Sequence, residues 1–311
     1  MEKQQPLTDI HQSEHFEEYL QVNGFAASSR TRIKNALRLF ALWCDAQNIL
    51  VTEVSYNDVM AYVSTCRQRG NKAASIQKKV IELNHYYTFL LSIHEVQDNP
   101  CSNIEIKGVK RKTLYETFTT EELETMYHAF ASMTLRTGGL GNNIAHKRNK
   151  IIVGLMIWQG LRTQELSEMK VSDVQMQQGK INVQGTLRTE GRELKLEAFQ
   201  LYDMMDYINE TRKLILALSG KQTDRLFISI GGGENFGNIT QRILEGVRSQ
   251  DKRVKEIKQI RASVITNWLR VHNIRKVQQM AGHRYVSSTE SYQANNMDDL
   301  KEDVNRYHPM N

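Results

Sequence analysis

Apolar residues recur at helical spacing through the first hundred positions. Phe16, Tyr19 and Leu20 begin one stripe, and Ile33, Leu37, Phe40 and Ala41 form a second after Ser28-Ser29, which reads as its start signal. Val59, Tyr62, Val63 and Cys66 make a third, and Ile76, Val80, Leu83, Tyr87 and Leu90 a fourth. Asn99-Pro100 is expected to stop that fourth helix, because the residue before proline avoids the α region. The spacing therefore predicts a four- or five-helix unit over residues 13–105, behind a polar tail of residues 1–12.

The pattern changes after a short basic stretch, Lys107-Gly108-Val109-Lys110-Arg111-Lys112, read as a linker over 106–115. A second unit opens at Phe118, where threonine and two glutamates announce a capped helix continued by Leu123, Met126, Tyr127 and Phe130. Ile151 to Gln159 reads as a buried helix. Ile181 and Val183 alternate with polar residues, as do Leu194 and Leu196, with glycines between them at 185 and 191, which predicts a β-hairpin. Helical patterns return from Tyr202 to Leu218 and from Arg261 onward. The expected fold is mainly α with a small β-sheet, the second unit spanning 116–311.

Composition narrows the function classes. Forty per cent hydrophobic and 24% charged residues is a globular balance, and the longest apolar stretch, Ile151 to Trp158, is too short to cross a bilayer. The polar start has no secretory core, so a cytoplasmic protein is expected. Cys44, Cys66 and Cys101 are odd in number and widely spaced, which predicts buried thiols rather than disulfides or a zinc site. No P-loop or dinucleotide spacing surrounds Gly231-Gly232-Gly233, which reads as a loop, and neither a metal nor a cofactor is expected.

The net charge of +6 hints at a polyanionic partner, and its distribution strengthens the hint. From Lys252 to Arg284 there are nine Lys or Arg against one acid, Glu256; the chain then turns acidic at Glu290, Asp298, Asp299, Glu302 and Asp303. Candidate DNA-phosphate contacts are Arg30, Lys34, Lys78, Lys79, Lys110, Arg111, Lys255 and Arg284. For those on the first unit's helices, a solvated face explains the charges equally well.

The candidate chemistry lies in two places. One is Gly160-Leu161-Arg162-Thr163-Gln164-Glu165-Leu166. The other, about a hundred residues on, runs Lys258-Gln259-Ile260-Arg261, Ala281-Gly282-His283, and then Tyr292 nine residues after that histidine. These boxes, in this order and at these separations, resemble the catalytic domain of the tyrosine recombinases, the phage-integrase and Xer-type family. The resemblance extends over roughly residues 13 to 311. It implies a helical core-binding domain followed by a mixed α/β catalytic domain. It also implies that Tyr292 attacks DNA to form a 3′-phosphotyrosyl intermediate, without ATP. Two guanidiniums, Arg162 and Arg261, suit a phosphorane-like state, being permanently charged and able to donate paired hydrogen bonds. Taken singly, each would read as an ordinary ion-paired arginine. Glu165 is expected to orient Arg162 or cap structure, and His283 to donate to a nonbridging oxygen or act as acid/base. Tyr285 and Tyr307 do not fit the spacing and are expected to pack.

Two positions depart from the family. Lys258 stands where its first histidine is expected, as a catalytic group or a DNA contact. The hairpin lysine that would protonate the leaving oxygen is replaced, since that turn reads Gly185-Thr186-Leu187. Arg188 is the nearest substitute, stabilising rather than protonating, with Lys180 and Lys195 as strand alternatives. The resemblance further implies duplex DNA as partner and a tetramer on DNA, with residues 298–311, carrying Leu300, Val304 and Tyr307, docking on a neighbouring protomer. An accessory DNA-bending factor and a nucleoid setting in a bacterium fit the same picture. Little room precedes Ser13 for an arm-binding domain. The departures favour a mobile-element integrase over an Xer resolvase. They also support the alternatives of a non-catalytic DNA-binding protein on the same fold and, from the shared chemistry, a type IB topoisomerase.

Overall fold

The computed structural model describes residues 10–109, 115–133, 139–186, 189–231 and 235–293, with backbone alone for 10–13. The chain divides into two compact units at Thr113 and Leu114.

The first unit holds α1 (Ile10–Val22), α2 (Ala27–Ala46), α3 (Tyr56–Gln68) and α4 (Ala73–Ser92). The four apolar stripes meet in one core, in which Leu20, Val59, Leu83, Tyr87 and Leu90 are wholly buried. Tyr87 satisfies its hydroxyl on the Val51 carbonyl at 2.8 Å. All three cysteines are free and buried, and burial pushes the thiols of Cys44 and Cys101 up to about 12, so neither is a ready nucleophile. Two expected boundaries move. Ala26 is the N-cap of α2 and Ser28-Ser29 lie inside its first turn, with no side-chain cap. α4 ends at Ser92, well before Asn99-Pro100: His94 turns left-handed (φ 60°) and the Glu95 amide closes on the Leu90 carbonyl. Asn99 instead reaches back to Asn84 and Thr88.

The second unit is built on α6 (Leu140–Trp158), longer than its apolar run, with Ile152, Val153 and Leu155 fully buried. Around it pack α5 (Thr120–Ala131), α8 (Ala198–Asp206), α9 (Arg212–Ser219), α10 (Phe236–Gln250) and α11 (Ile257–Val271). Thr119 caps α5 and Glu122 returns the bond. A π-helical turn, Tyr207–Thr211, joins α8 to α9. α7 (Thr163–Glu168) precedes a three-stranded antiparallel sheet in the order β1 (Val174–Gln175), β2 (Lys180–Val183), β3 (Arg192–Lys195); the two-residue β1 was not expected. α12 (Ile274–Ala281) and α13, helical over 286–293, complete the described chain. Among the described residues no helix is long and apolar enough to cross a membrane.

Candidate active site

The site begins at the turn out of α6. Gly160 is left-handed (φ 59°), and a side chain there would press on Val264 and Trp268 of α11 at 3.2 and 3.1 Å. Glycine therefore meets two demands at once, a reversed backbone and close packing. Leu161 and Leu166 bury themselves on either side and leave Arg162 as the N-cap of α7. The Arg162 amide donates to Glu165 Oε2 at 2.8 Å, closing the turn.

Glu165 is the hub. Arg192, the first residue of β3, grips both its oxygens at 2.9 and 3.1 Å with side chains only 3% and 6% exposed. Arg162 Nη1 lies 3.5 Å and Arg261 Nη1 3.8 Å from the same carboxylate. Burial pushes this carboxyl up. The Arg192 bonds and charge, the Arg162 amide and the Arg261 charge outweigh it and hold the group below its ordinary value. Glu165 was expected to orient Arg162 or to cap structure, and through the Arg162 amide it caps the turn. Arg192 was missed by sequence reasoning, which had no way to separate it from the other basic residues of the hairpin.

Arg261, on the first turns of α11, is buried and donates to the carbonyls of Gly160 and Ala281. Its Nη2 also lies 3.3 Å from His283 Nε2. Burial and the neighbouring Arg162 lower its affinity for its proton to about 10, which leaves it charged at neutral pH. Among the described residues two buried donors, Arg162 Nη1 and Arg261 Nε, make no hydrogen bond, although Arg162 Nη1 keeps its 3.5 Å ion pair with Glu165. Unmet buried N–H groups are costly, and a tetrahedral oxyanion would satisfy both.

His283 follows the end of α12. Gly282 is left-handed (φ 63°), and a Cβ there would fall 2.4 Å from Arg192 Nη1 and 3.0 Å from the Glu190 carbonyl. Gly282→Ala is therefore expected to cost at least about 2 kcal/mol, part from the backbone and part from displacing Arg192, measurable by urea denaturation. The hairpin is stitched to this turn by the Glu190 amide on the Gly282 carbonyl and a bridge between Thr189 and His283. His283 Nδ1 lies 2.9 Å from Thr289 Oγ1 on α13, a second contact the sequence did not disclose. The Tyr292 ring stacks on the imidazole, 5.8 Å between centroids and 10° from parallel, and rests on the cluster of Ile265, Val277 and Ala281.

Three guanidiniums and one carboxylate make this a cationic pocket. His283 responds: burial first, then Arg261, Arg162 and Arg192, push it down to about 3. A histidine with a depressed folded pKa adds stability that is full above its unfolded value near 6.5 and is lost progressively as pH falls toward 3. Urea denaturation should show wild type losing at least about 1 kcal/mol more than His283→Asn between pH 7 and pH 4.

The other candidates lie around this centre. Lys258 is exposed on the first turn of α11, three residues before Arg261 and so on the same helix face. Lys180 and Lys195 face each other in the ladder on the side opposite Arg192, and Lys180 is paired with Glu193 at 3.1 Å, so neither joins the pocket. Arg188 lies outside the described residues, as do Lys110, Arg111 and the segment 298–311 with Tyr307. Thr186 closes a tight turn on Thr189, hydroxyl to hydroxyl at 2.9 Å. Lys255 and Lys78 are exposed, Arg284 pairs with Glu190 at 3.1 Å, and Lys79 reaches Cys66 at 3.8 Å. Arg30 and Lys34 both bind Glu17 at 2.7 Å. Tyr285 corrects an expectation: it is 67% exposed and does not pack.

The Phage integrase family model matches residues 116–299, and that of the phage integrase N-terminal SAM-like domain matches residues 14–94. Tyrosine recombinase XerC of Oceanobacillus iheyensis is 24% identical over 309 residues, covering 94% of each chain. Tyrosine recombinase XerD of the same organism is 25% identical over 260 residues, 83% of each. Among solved structures, the XerH site-specific recombinase bound to a palindromic difH substrate superposes with a TM-score of 0.68 at 15% identity, covering 97% of this chain and 90% of that one. The Tn1549 transposon integrase in complex with a circular intermediate DNA does so with a TM-score of 0.65 at 11% identity, covering 94% and 99%.

Proposed function

The chain belongs to the phage integrase family of tyrosine recombinases, whose model covers more than half of it, and on that premise we propose that it cuts and rejoins duplex DNA at specific sites with Tyr292 as nucleophile. One observation carries the reading: the Tyr292 ring lies on His283 beside two guanidiniums, each with a buried N–H that makes no hydrogen bond among the described residues. The tyrosine oxygen attacks a backbone phosphorus, the 5′-oxygen leaves, and a 3′-phosphotyrosyl bond replaces the bond broken. A 5′-hydroxyl of the partner strand reverses the step, so no ATP is consumed. Arg162 and Arg261 take the nonbridging oxygens as charge develops on them. His283, held neutral, donates a hydrogen bond to one of these oxygens. Lys258, solvent-facing at the head of α11, reaches the same phosphate or the next one. Arg188 steadies the departing oxygen.

Lys78, Lys79, Lys255, Arg284, Lys110 and Arg111 contact the backbone, and Arg30 and Lys34 do so by exchanging Glu17 for phosphate. These pairs are part-buried at Arg30 and Glu17 but lie at the surface, where ion pairs are weak enough to exchange. Four protomers act on two sites, with residues 298–311 docking between neighbours, on DNA in the bacterial cytoplasm. The departures at Lys258 and Thr186 favour the integrase of a mobile element. The test is a nicked duplex suicide substrate drawn from the DNA flanking the gene. The expected result is an SDS-resistant protein–DNA adduct. Specific binding without any adduct would mark a DNA-binding protein that does no chemistry.

A further inference from the structure

Thr289 is fully buried, and its Oγ1 lies 2.9 Å from His283 Nδ1. On the other side of the ring, Nε2 lies 3.3 Å from Nη2 of Arg261, which can only donate. Nε2 therefore accepts in this state, the ring proton sits on Nδ1, and the Thr289 oxygen receives it.

That arrangement is the wrong one for the task assigned to His283 above. To donate to a nonbridging oxygen, the imidazole must carry its proton on Nε2. Charging the ring would supply one, but burial and the guanidiniums of Arg261, Arg162 and Arg192 oppose a second positive proton there. Shifting the proton leaves the ring neutral. The shift needs a partner at Nδ1 that first accepts and then donates. A carbonyl or carboxylate would lock the proton on Nδ1, and a backbone amide would lock it on Nε2. A hydroxyl does both by rotating about one bond.

We propose that Thr289 is a positioning residue that lets neutral His283 exchange tautomers. The ring is Nδ1–H in the DNA-free pocket, accepting from Arg261, and Nε2–H once a phosphate oxygen takes the place of that acceptor. One proton leaves Nδ1 and one joins Nε2 by exchange with solvent, so the charge does not change. Thr289 also stands three residues before Tyr292 on α13, on the same helix face, so the bond ties the imidazole to the helix that carries the nucleophile. The inference rests on the recombinase reading.

Nitrogen-15 spectra of histidine-labelled protein, with His283 assigned from His283→Asn, read the tautomer directly. The free protein should show protonated Nδ1. Tyr292→Phe bound to the uncleaved flanking-DNA duplex should show protonated Nε2. The same tautomer in both states overturns the proposal. In single-turnover cleavage of the nicked substrate at saturating protein, Thr289→Val should be slower by about tenfold, the worth of one hydrogen bond, at unchanged DNA affinity. Thr289→Ser, which keeps the hydroxyl, should return to within about twofold. A valine variant at full rate sinks the role of Thr289 and leaves the recombinase reading standing. Wild type that never forms an adduct sinks both. If the valine variant does not fold, the serine variant and the two spectra still decide.

Discussion

Tyr292→Phe is expected to abolish covalent attachment to DNA, lowering single-turnover cleavage by at least about 10⁴-fold, while leaving stability within about 0.5 kcal/mol of wild type. The two halves of this prediction come from different parts of the side chain. The ring does the packing: it stacks on His283 and rests on Ile265, Val277 and Ala281, and phenylalanine keeps all of these contacts. The oxygen does the chemistry. Tyr285, in the bend between α12 and α13, is exposed to solvent and has no such ring contact among the described residues. Tyr285→Phe should cleave like wild type. The measurement is an SDS-resistant band on the nicked duplex, alongside a mobility shift that reports binding. An adduct formed at normal rate by Tyr292→Phe would remove this residue from the mechanism.

What the sequence disclosed, and what it did not, follows from how each signal is encoded. The four stripes of the first unit were legible because burial on one helix face repeats every three or four residues. Gly160, Arg162 and Glu165 were legible as a box resembling that of the recombinases, because they keep fixed offsets along one short segment; the reversed turn and the carboxylate hub they form were not. Helix ends were harder. Ser28-Ser29 and Asn99-Pro100 carry the right residue types, yet Ala26 and His94 make the turns, since tertiary packing overrides local preference. β1 is two residues long and has no alternation to detect. The partners Arg192 and Thr289 were invisible for a different reason. Each acts across the fold, on Glu165 and on His283, and nothing local separates that arginine from the rest of the 41 Lys and Arg or that threonine from a core methyl.

Arg192→Met tests the buried hub, and it should destabilise the protein by about 3–5 kcal/mol, the range for removing one partner of a buried ion pair. Methionine fills much of the same volume, so the loss is electrostatic. Glu165 would keep the Arg162 amide at 2.8 Å but lose both short guanidinium bonds, leaving Arg162 Nη1 at 3.5 Å and Arg261 Nη1 at 3.8 Å as its nearest charges. The Met280 carbonyl would lose its bond from Nε at 2.8 Å, loosening the turn that carries His283. The pH dependence has a definite sign. A carboxyl with a lowered folded pKa contributes stability that is full above its unfolded value, about 4.3, and is lost as pH falls through the folded value. The gap between wild type and Arg192→Met should therefore be full at pH 7 and shrink below pH 4. Adding Glu165→Met should recover much of the stability at pH 7, because a buried pair replaced by apolar side chains is often neutral. Cleavage should not recover with it. The carboxylate also receives the Arg162 amide, and without it that guanidinium has no fixed place at the phosphate, a loss of about 10²-fold. Urea denaturation and single-turnover cleavage on the same three proteins separate the two roles. A double variant that regains both stability and rate would show that the hub only holds the fold together.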